Sequence, residues 1–327
     1  MDVAVWGPGA RAAQRRVAAL LAEAGMRVLP RQRLDEAACV VVLGGDRGVR
    51  SYLRSQRGAA PVLGLAEGEE AGFLAQADVR QLPSYLSKLS RGDYLVEEVP
   101  RLAVRIDGRD AFPVLNDVAV FPSRSATLME HTLTVGGEEV WHDNGDGVII
   151  STPIGSSAYS MSAGGPVIYP GSAAFGIISV NSLDVTRRPL VVPDSATVRI
   201  SEVSASMRCE AVLDGTDRHR VVSAVECSRF PEPARLVRLG RGSSAVSALA
   251  KKVHLAGDLL RMPPSSKLLL KTLEYEGPMT QRQLAARTLL PARTVRMALS
   301  NLASRGYVSR RVSPRDARQK IYAISGR

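Results

Sequence analysis

Long apolar stretches are missing from this chain, and none approaches the roughly 20 residues that a membrane-crossing helix requires. The N-terminus opens on Asp2, Gly7 and Pro8 instead of a basic stretch before an apolar block, so no secretory leader is expected. Cysteine is scarce. Cys39, Cys209 and Cys227 are odd in number, far apart and without a CxxC pair, which argues against a disulfide framework or a zinc site and fits a reducing cytoplasm. His131, His142, His219 and His254 have no ligand spacing, so no metal site is expected. Acidic residues are nearly absent from the end of the chain. Between Met262 and Arg327 only Glu274, Glu276 and Asp316 stand against 3 Lys and 10 Arg, which accounts for almost all of the net charge of +11. A hydrophobic content of 45% excludes wholesale disorder, and 327 residues are long for a single core, so two or three compact units are expected.

The first unit, 1–95, reads as α/β. Val3 to Trp6 is a short apolar run, Arg11 to Ala24 has helical periodicity with Gly25 as its stop, and Met26–Leu29 and Cys39–Leu43 resemble buried parallel strands. From 96 to 261 short β-rich runs separated by Gly, Asp and Pro turns predict an all-β domain, ending in a return helix at about Ala245 to Leu260. Met262-Pro263-Pro264 breaks the chain before a third unit, 265–327.

Three Gly-rich segments carry chemistry. Gly7-Pro8-Gly9-Ala10-Arg11-Ala12 matches a dinucleotide-binding turn, but Arg27, Arg31 and Arg33 stand where an acidic ribose ligand belongs; the readings are a phosphorylated ribose or a plain strand-to-helix turn. Gly44-Gly45-Asp46-Arg47-Gly48 ends a buried strand, where backbone N–H groups can approach phosphate and Asp46 can hold a metal ion or accept a proton; a tight turn explains the same residues. The third runs from Asp146-Gly147 through Thr152-Pro153-Ile154-Gly155-Ser156-Ser157-Ala158-Tyr159 to Gly164-Gly165-Pro166, with small residues for close ligand approach and hydroxyls at Ser157 and Tyr159.

That third segment closely resembles the NAD-binding segment of NAD kinases, whose usual form is DG-(x)4-TPTGSTAYSLSAGGP. Leu115-Asn116-Asp117 resembles the family's N-E/D pair, Gly44-Gly45-Asp46 the start of its GGDG loop, and Phe73 lies in a remnant of its LGFL segment. Arg187 to Pro193, Leu213-Asp214-Gly215 and Leu236 to Leu239 follow in family order, so the resemblance spans about 1–261. It implies a Rossmann-like α/β domain plus an all-β NAD-binding domain. Gly44, Gly45, Phe73, Asn116, Asp117, Asp146, Ser157, Ala158 and Tyr159 then bind NAD or NADP. Asp46 is the implied catalytic residue, and ATP and Mg²⁺ are needed only if kinase activity survives. The main departures fall in the loop where the family holds the phosphates of the donor ATP. Arg47 replaces the third Gly of GGDGT, and Gly48 stands at the Thr. If that Gly adopts positive φ, a Cβ costs roughly 1–2 kcal/mol there, and the guanidinium takes phosphate space; the opposing reading gives Arg47 to a phosphate as a charge partner. The Gly64-Leu65-Ala66 stretch has also lost the Asn of a family GIN, and Ile154 replaces a Thr.

The basic third unit is legible from its own pattern. Ser265 to Glu276 is an amphipathic helix, Thr280 caps a second helix to Arg287, Pro291 opens a third to about Ser304, and two strands follow, Tyr307 to Val312 and Gln319 to Ile324. Helix-turn-helix plus a basic hairpin is the winged-helix plan, and the segment is similar to MarR-type regulators, with Asp316-x-Arg318 matching their D-x-R wing. The third helix would present Arg293, Thr294, Arg296 and Ser300 or Asn301 to a major groove, while Arg310, Arg311, Arg315, Arg318 and Lys320 meet phosphates or the minor groove of double-stranded DNA. Protein–protein contact is the other use of such a module.

The expected function is a cytoplasmic, NAD(P)-binding transcriptional regulator that couples nucleotide binding to DNA binding. The alternative is an active ATP-dependent NAD kinase with an appended DNA-binding domain. Both imply a homodimer or homotetramer and no membrane.

Overall fold

The computed structural model describes residues 1–8, 11–55, 60–67, 72–124, 127–240, 262–312 and 320–324. In chain order the first elements are β1 (Asp2–Trp6), α1 (Arg11–Glu23), β2 (Arg27–Leu29), β3 (Cys39–Leu43), α2 (Gly45–Ser55), β4 (Val62–Ala66), β5 (Ala75–Asp78), α3 (Leu82–Arg91) and β6 (Leu95–Val99). Next come β7 (Leu102–Ile106), β8 (Arg109–Asp110), β9 (Asp117–Pro122), β10 (Met129–Val135), β11 (Glu138–Gly145), β12 (Gly147–Ser151), α4 (Tyr159–Ser162), β13 (Ala174–Val180) and β14 (Leu190–Pro193). They are followed by β15 (Val198–Ala205), β16 (Cys209–Leu213), β17 (Asp217–Val221), β18 (Ala224–Arg229) and β19 (Ala234–Arg238). The chain ends with α5 (Pro264–Glu276), β20 (Met279–Thr280), α6 (Gln281–Thr288), α7 (Ala292–Ser304), β21 (Val308–Val312) and β22 (Lys320–Ile324).

Two compact units result, Met1–Leu249 and Ala250–Arg327. The first begins as an α/β layer whose main strand order is β2-β1-β3-β4-β19-β6, parallel except for β6 against β19. β3 shows why it sits centrally: every side chain of Cys39-Val40-Val41-Val42-Leu43 is buried. Cys39, Val41 and Leu43 pack with Val17 and Leu21 of α1, while Val40 and Val42 pack with Val49, Tyr52 and Leu53 of α2. β2 departs from the expected buried strand. It lies at the sheet's edge, and Arg27 is exposed. Gly25 ends the first helical segment at φ 79°, the left-handed turn expected of it.

The β-rich part is a sandwich of two six-stranded antiparallel sheets, β11-β10-β15-β18-β7-β8 and β14-β13-β12-β9-β16-β17. Alternate residues of both point inward to one core, among them Val104, Val120, Leu133, Ile150, Phe175, Ile200 and Val225. Arg101, at the start of this part, is fully buried and hydrogen-bonds the carbonyls of Glu232 (2.9 Å) and Leu53 (3.3 Å), so it caps the last turn of α2. The three cysteines are free and buried, and burial pushes the Cys39 thiol up to about 12.

The second unit has the winged-helix plan. α5, α6 and α7 enclose Leu269, Leu273, Leu284, Val295, Leu299 and Leu302, and a three-stranded sheet runs β20-β22-β21. Thr280 caps α6 as expected, its hydroxyl accepting from the Gln283 N–H while Gln283 accepts the Thr280 N–H at 2.9 Å. The expected return helix at 245–260 lies outside the described residues.

Candidate functional site

Strand register builds a floor on the outer face of the second sandwich sheet. Ile149, Ala119, Val212 and Arg218 fall in one row across β12, β9, β16 and β17, and Phe121 pairs Glu210 in the next row on that face. Gly147 explains the position of Phe121, because a Cβ there would lie 2.5 Å from the phenyl ring. The ring therefore lies over the strand and stands 5.9 Å from the ring of Tyr159, tilted by 34°. Burial, then Asp117 and Asp146, push the Tyr159 hydroxyl's pKa up.

The Asn116–Asp117 pair sits at one end of this floor, and its backbone is fixed from two sides. The Asp214 carboxylate accepts the N–H groups of Leu115 (3.2 Å) and Asn116 (2.7 Å). From the other side, Thr152 donates its N–H to the Asn116 carbonyl at 2.9 Å and its hydroxyl to the Leu115 carbonyl at 2.6 Å. Gly155 touches the Asn116 carbonyl so closely that a Cβ would stand 1.8 Å from its oxygen. This contact, not loop flexibility, is why the Gly/Ser segment needs its glycine.

A cavity of about 580 Å³ opens here, with Asn116, Asp117, Ala158 and Tyr159 in its lining. Four of the expected nucleotide ligands thus meet in one place. Arg50, Phe121, Asp214 and Arg218 also line it, and none of these was expected as a ligand. Asp146 is not in this lining; it accepts Asn181 Nδ2 at 2.7 Å, and its charge is felt by Tyr159. Ser157 does not point its hydroxyl outward; it is buried and donates to the Ile154 carbonyl at 3.0 Å.

Gly44, Gly45, Asp46 and Phe73 form a second cluster, at the C-terminal ends of the central strands. β1 neighbours β2 on one side and β3 on the other, so this is the switch point of the parallel sheet, where open α/β folds place ligands. Gly44 and Gly45 take φ of 93° and 62°. Pro8 of the first Gly turn stands against Gly44, with 3.5 Å between the Pro8 ring and a Cβ built there; Gly9 and Ala10 lie outside the described residues. The Asp46 carboxylate accepts the N–H groups of Phe73, Leu74 and Ala75, each at 2.9 Å. Both its oxygens therefore have partners, and a metal ion or sugar hydroxyl at Asp46 competes with three backbone donors.

One expectation is corrected at Arg47. It lies within α2, exposed, and is not among the residues of positive φ, so its Cβ meets no backbone penalty. The demanding position is Gly48, where a Cβ would come 2.0 Å from the Leu43 carbonyl oxygen. The arginines considered for a phosphorylated ribose are occupied elsewhere. Arg27 pairs with Asp2, Arg33 with Glu36, and the Arg31 guanidinium lies 5.8 Å from the centre of the Trp6 ring. Among the described residues no group of three or more His, Cys, Asp or Glu converges as a metal site.

In the second unit a groove of about 1110 Å³ is lined by Gln281 and Arg282 of α6, Arg296 and Ser300 of α7, and Arg310 and Lys320 of the hairpin strands. A helix turns about 100° per residue, so the buried Val295, Ala298, Leu299 and Leu302 fix which side of α7 is free. Arg296 and Ser300 share one exposed face, with Arg293 and Met297 beside them. Thr294 and Asn301 fall on the far flank, and among the described residues the buried Asn301 side-chain oxygen has no partner. Arg315 and Arg318, with the hairpin tip, lie outside the described residues, as does the side chain of Arg311.

Comparison with known proteins places these features in a family. Residues 115–238 match the ATP-NAD kinase C-terminal domain, and residues 262–319 match the MarR family. An NAD kinase of Methanopyrus kandleri is 34% identical over 206 residues, which cover 63% of this chain and 74% of that protein. An NAD kinase of Heliobacterium modesticaldum is 34% identical over 220 residues, covering 64% and 76%. The crystal structure of an NAD kinase from Archaeoglobus fulgidus in complex with ATP superposes with a TM-score of 0.65 at 25% identity, over 78% of this chain and 99% of that one. Yeast NADH kinase complexed with NADH shares the fold, with a TM-score of 0.66 at 17% identity over 78% and 87%. With its sandwich, its Gly44-Gly45-Asp46 loop and its Asn116–Asp117 cavity, the chain belongs to the NAD kinase family and carries a MarR-family segment at residues 262–319.

Proposed function

We propose that the chain is a nucleotide-responsive DNA-binding protein: the kinase-like unit binds a pyridine dinucleotide, and that binding sets the affinity of the winged unit for double-stranded DNA. The observation that carries this reading is the presence, in one polypeptide, of the Asn116–Asp117–Tyr159 cavity and the basic groove of Arg296, Arg310 and Lys320. The residues fit a dinucleotide. Phe121 and Tyr159 offer aromatic surface to a base, Asp117 offers a carboxylate to ribose hydroxyls, and Gly147 and Gly155 keep the walls in place. Coupling of about 1–3 kcal/mol is usual between such sites. Symmetric operators would match a homodimer or homotetramer. Free, buried cysteines suit a reducing cytoplasm.

Gel-shift titration of the full chain on genomic fragments, with NAD and NADP added separately, tests the reading. A shift in DNA affinity with either dinucleotide supports it. Absence of DNA binding, or indifference of every bound fragment to both ligands, removes it.

A second reading, an active NAD kinase with a DNA-binding segment, has one observation in its favour. The loop keeps both left-handed glycines, and Arg47 sits in unstrained helical backbone. In that case ATP and Mg²⁺ supply the phosphoryl group and charge neutralisation, and Asp46 must give up its backbone donors to reach either. Formation of NADP from NAD and ATP, abolished by Asp46→Asn, would establish this reading.

A further inference from the structure

We propose that Arg50 is the phosphoryl anchor of the Asn116–Tyr159 cavity, an inference that rests on the dinucleotide-binding reading above. Arg50 leaves α2 in the α/β layer and lines the cavity of the β-sandwich. Its guanidinium is carried by two backbone carbonyls, with Nε 3.4 Å from the Asp46 oxygen and Nη1 3.2 Å from the Asp214 oxygen. Both partners are neutral. Among the described residues Arg50 makes no ion pair. Asp214 feels the charge, yet its two oxygens are turned to the Leu115 and Asn116 N–H groups.

The contrast with neighbouring arginines is informative. Arg218, also in the lining, pairs with Glu210 at 3.1 Å, and its side chain is 66% exposed. Arg54, one turn along α2, pairs with Asp217 and Thr216 of the β17 hairpin. Of the three, Arg50 is the one held by backbone carbonyls and, among the described residues, without an ion pair. A guanidinium also has more N–H donors than these two carbonyls use, and its fork matches phosphate oxygens. The cavity thereby offers aromatic surface, a carboxylate and a held cation, which is the complement of a base, a ribose and a phosphoryl group. Either a pyrophosphate bridge or a phosphate on the ribose supplies that group.

Calorimetric titration of the full chain with NADP, NAD and adenosine, on wild type, Arg50→Gln and Arg54→Gln, tests the assignment. Arg50→Gln should weaken NADP binding by about ten- to a hundredfold, as loss of a charged hydrogen-bond partner does, while adenosine binding stays nearly constant. A loss confined to NADP identifies the ribose phosphate, and an equal loss for NAD and NADP identifies the pyrophosphate. Unchanged NADP affinity in Arg50→Gln overturns the inference and leaves the dinucleotide reading intact. So does an equal loss for adenosine, or an equal loss in Arg54→Gln, since either assigns the effect to a loosened α2. Failure of the wild type to bind any dinucleotide removes both.

Discussion

Asp214 and Asn116 are joined side chain to backbone: one carboxylate oxygen of Asp214 accepts the Asn116 N–H at 2.7 Å while the other accepts that of Leu115. Asp214 holds this position at φ 49°, and burial pushes its pKa up. The carboxylate is therefore the support on which the backbone of the Asn116–Asp117 pair rests. Asp214→Ala leaves two N–H groups without acceptors and should cost about 2–5 kcal/mol of stability in urea unfolding. A variant within about 0.5 kcal/mol of wild type would show that the support is dispensable.

Two glycines separate steric need from mere frequency. Gly155→Ala drives a methyl group toward the Asn116 carbonyl at 1.8 Å, whereas Gly171→Ala meets only the ring edge of Tyr169 at 3.4 Å. The first should lose about 3 kcal/mol or more, or fail to fold, and the second should stay near wild type. Thermal unfolding of both compares them directly. Equal melting temperatures would mean that the Gly155 contact yields without cost.

His131 predicts an acid sensitivity. It faces Asp143 across β10 and β11, with His142 and Arg187 nearby, and among the described residues neither ring nitrogen has a hydrogen-bond partner. Burial above all lowers its pKa to about 4 from 6.5. The unfolded chain therefore binds a proton that the folded chain refuses between these values, so stability falls as pH drops through this window. The loss approaches about 3 kcal/mol. Asp143, held lower still by Ser179, Ser182 and the Asn144 N–H against its burial, contributes only at more acidic pH. Denaturant unfolding at pH 7, 5.5 and 4.5 should show a slope that His131→Phe removes; a slope shared by both proteins would assign it to other groups.

Arg296 and Asn301 should behave differently on DNA. Arg296→Ala, on the groove face of α7, should weaken binding about tenfold or more and relax preference at one base position. Asn301→Ala, whose side-chain oxygen is buried, should change unfolding more than DNA affinity. Fluorescence anisotropy on a selected operator, at two salt concentrations, distinguishes them. A larger DNA defect in Asn301→Ala would reverse the orientation of α7.

Much of the fold was legible because its signals are local. The fully apolar Cys39–Leu43 run, the Gly25 stop and the Thr280/Gln283 cap each depend on residues close in sequence, and each appears where periodicity and capping place it. The site was half legible. Asn116, Asp117, Ala158 and Tyr159 meet as the resemblance implies, but Arg50, Phe121 and Arg218 join them only through helix docking and strand register, which no spacing along the chain reveals. Phe121 had one faint sign, the strand glycine Gly147 that admits its ring. The strain argument at Arg47 failed because the loop turns into helix one residue earlier than its glycines suggest. Thr294 and Asn301 were grouped with Arg296 by proximity in sequence, which helical rotation overrides.

The three interior thiols have a practical consequence. Cys39, Cys209 and Cys227 are all buried, and burial raises each pKa, leaving almost no thiolate near neutrality. Native protein should ignore maleimides. One cysteine engineered on the surface of each unit would then carry a fluorophore or spin label, and the pair would give distance measurements between the units without first stripping the chain of its own sulfur.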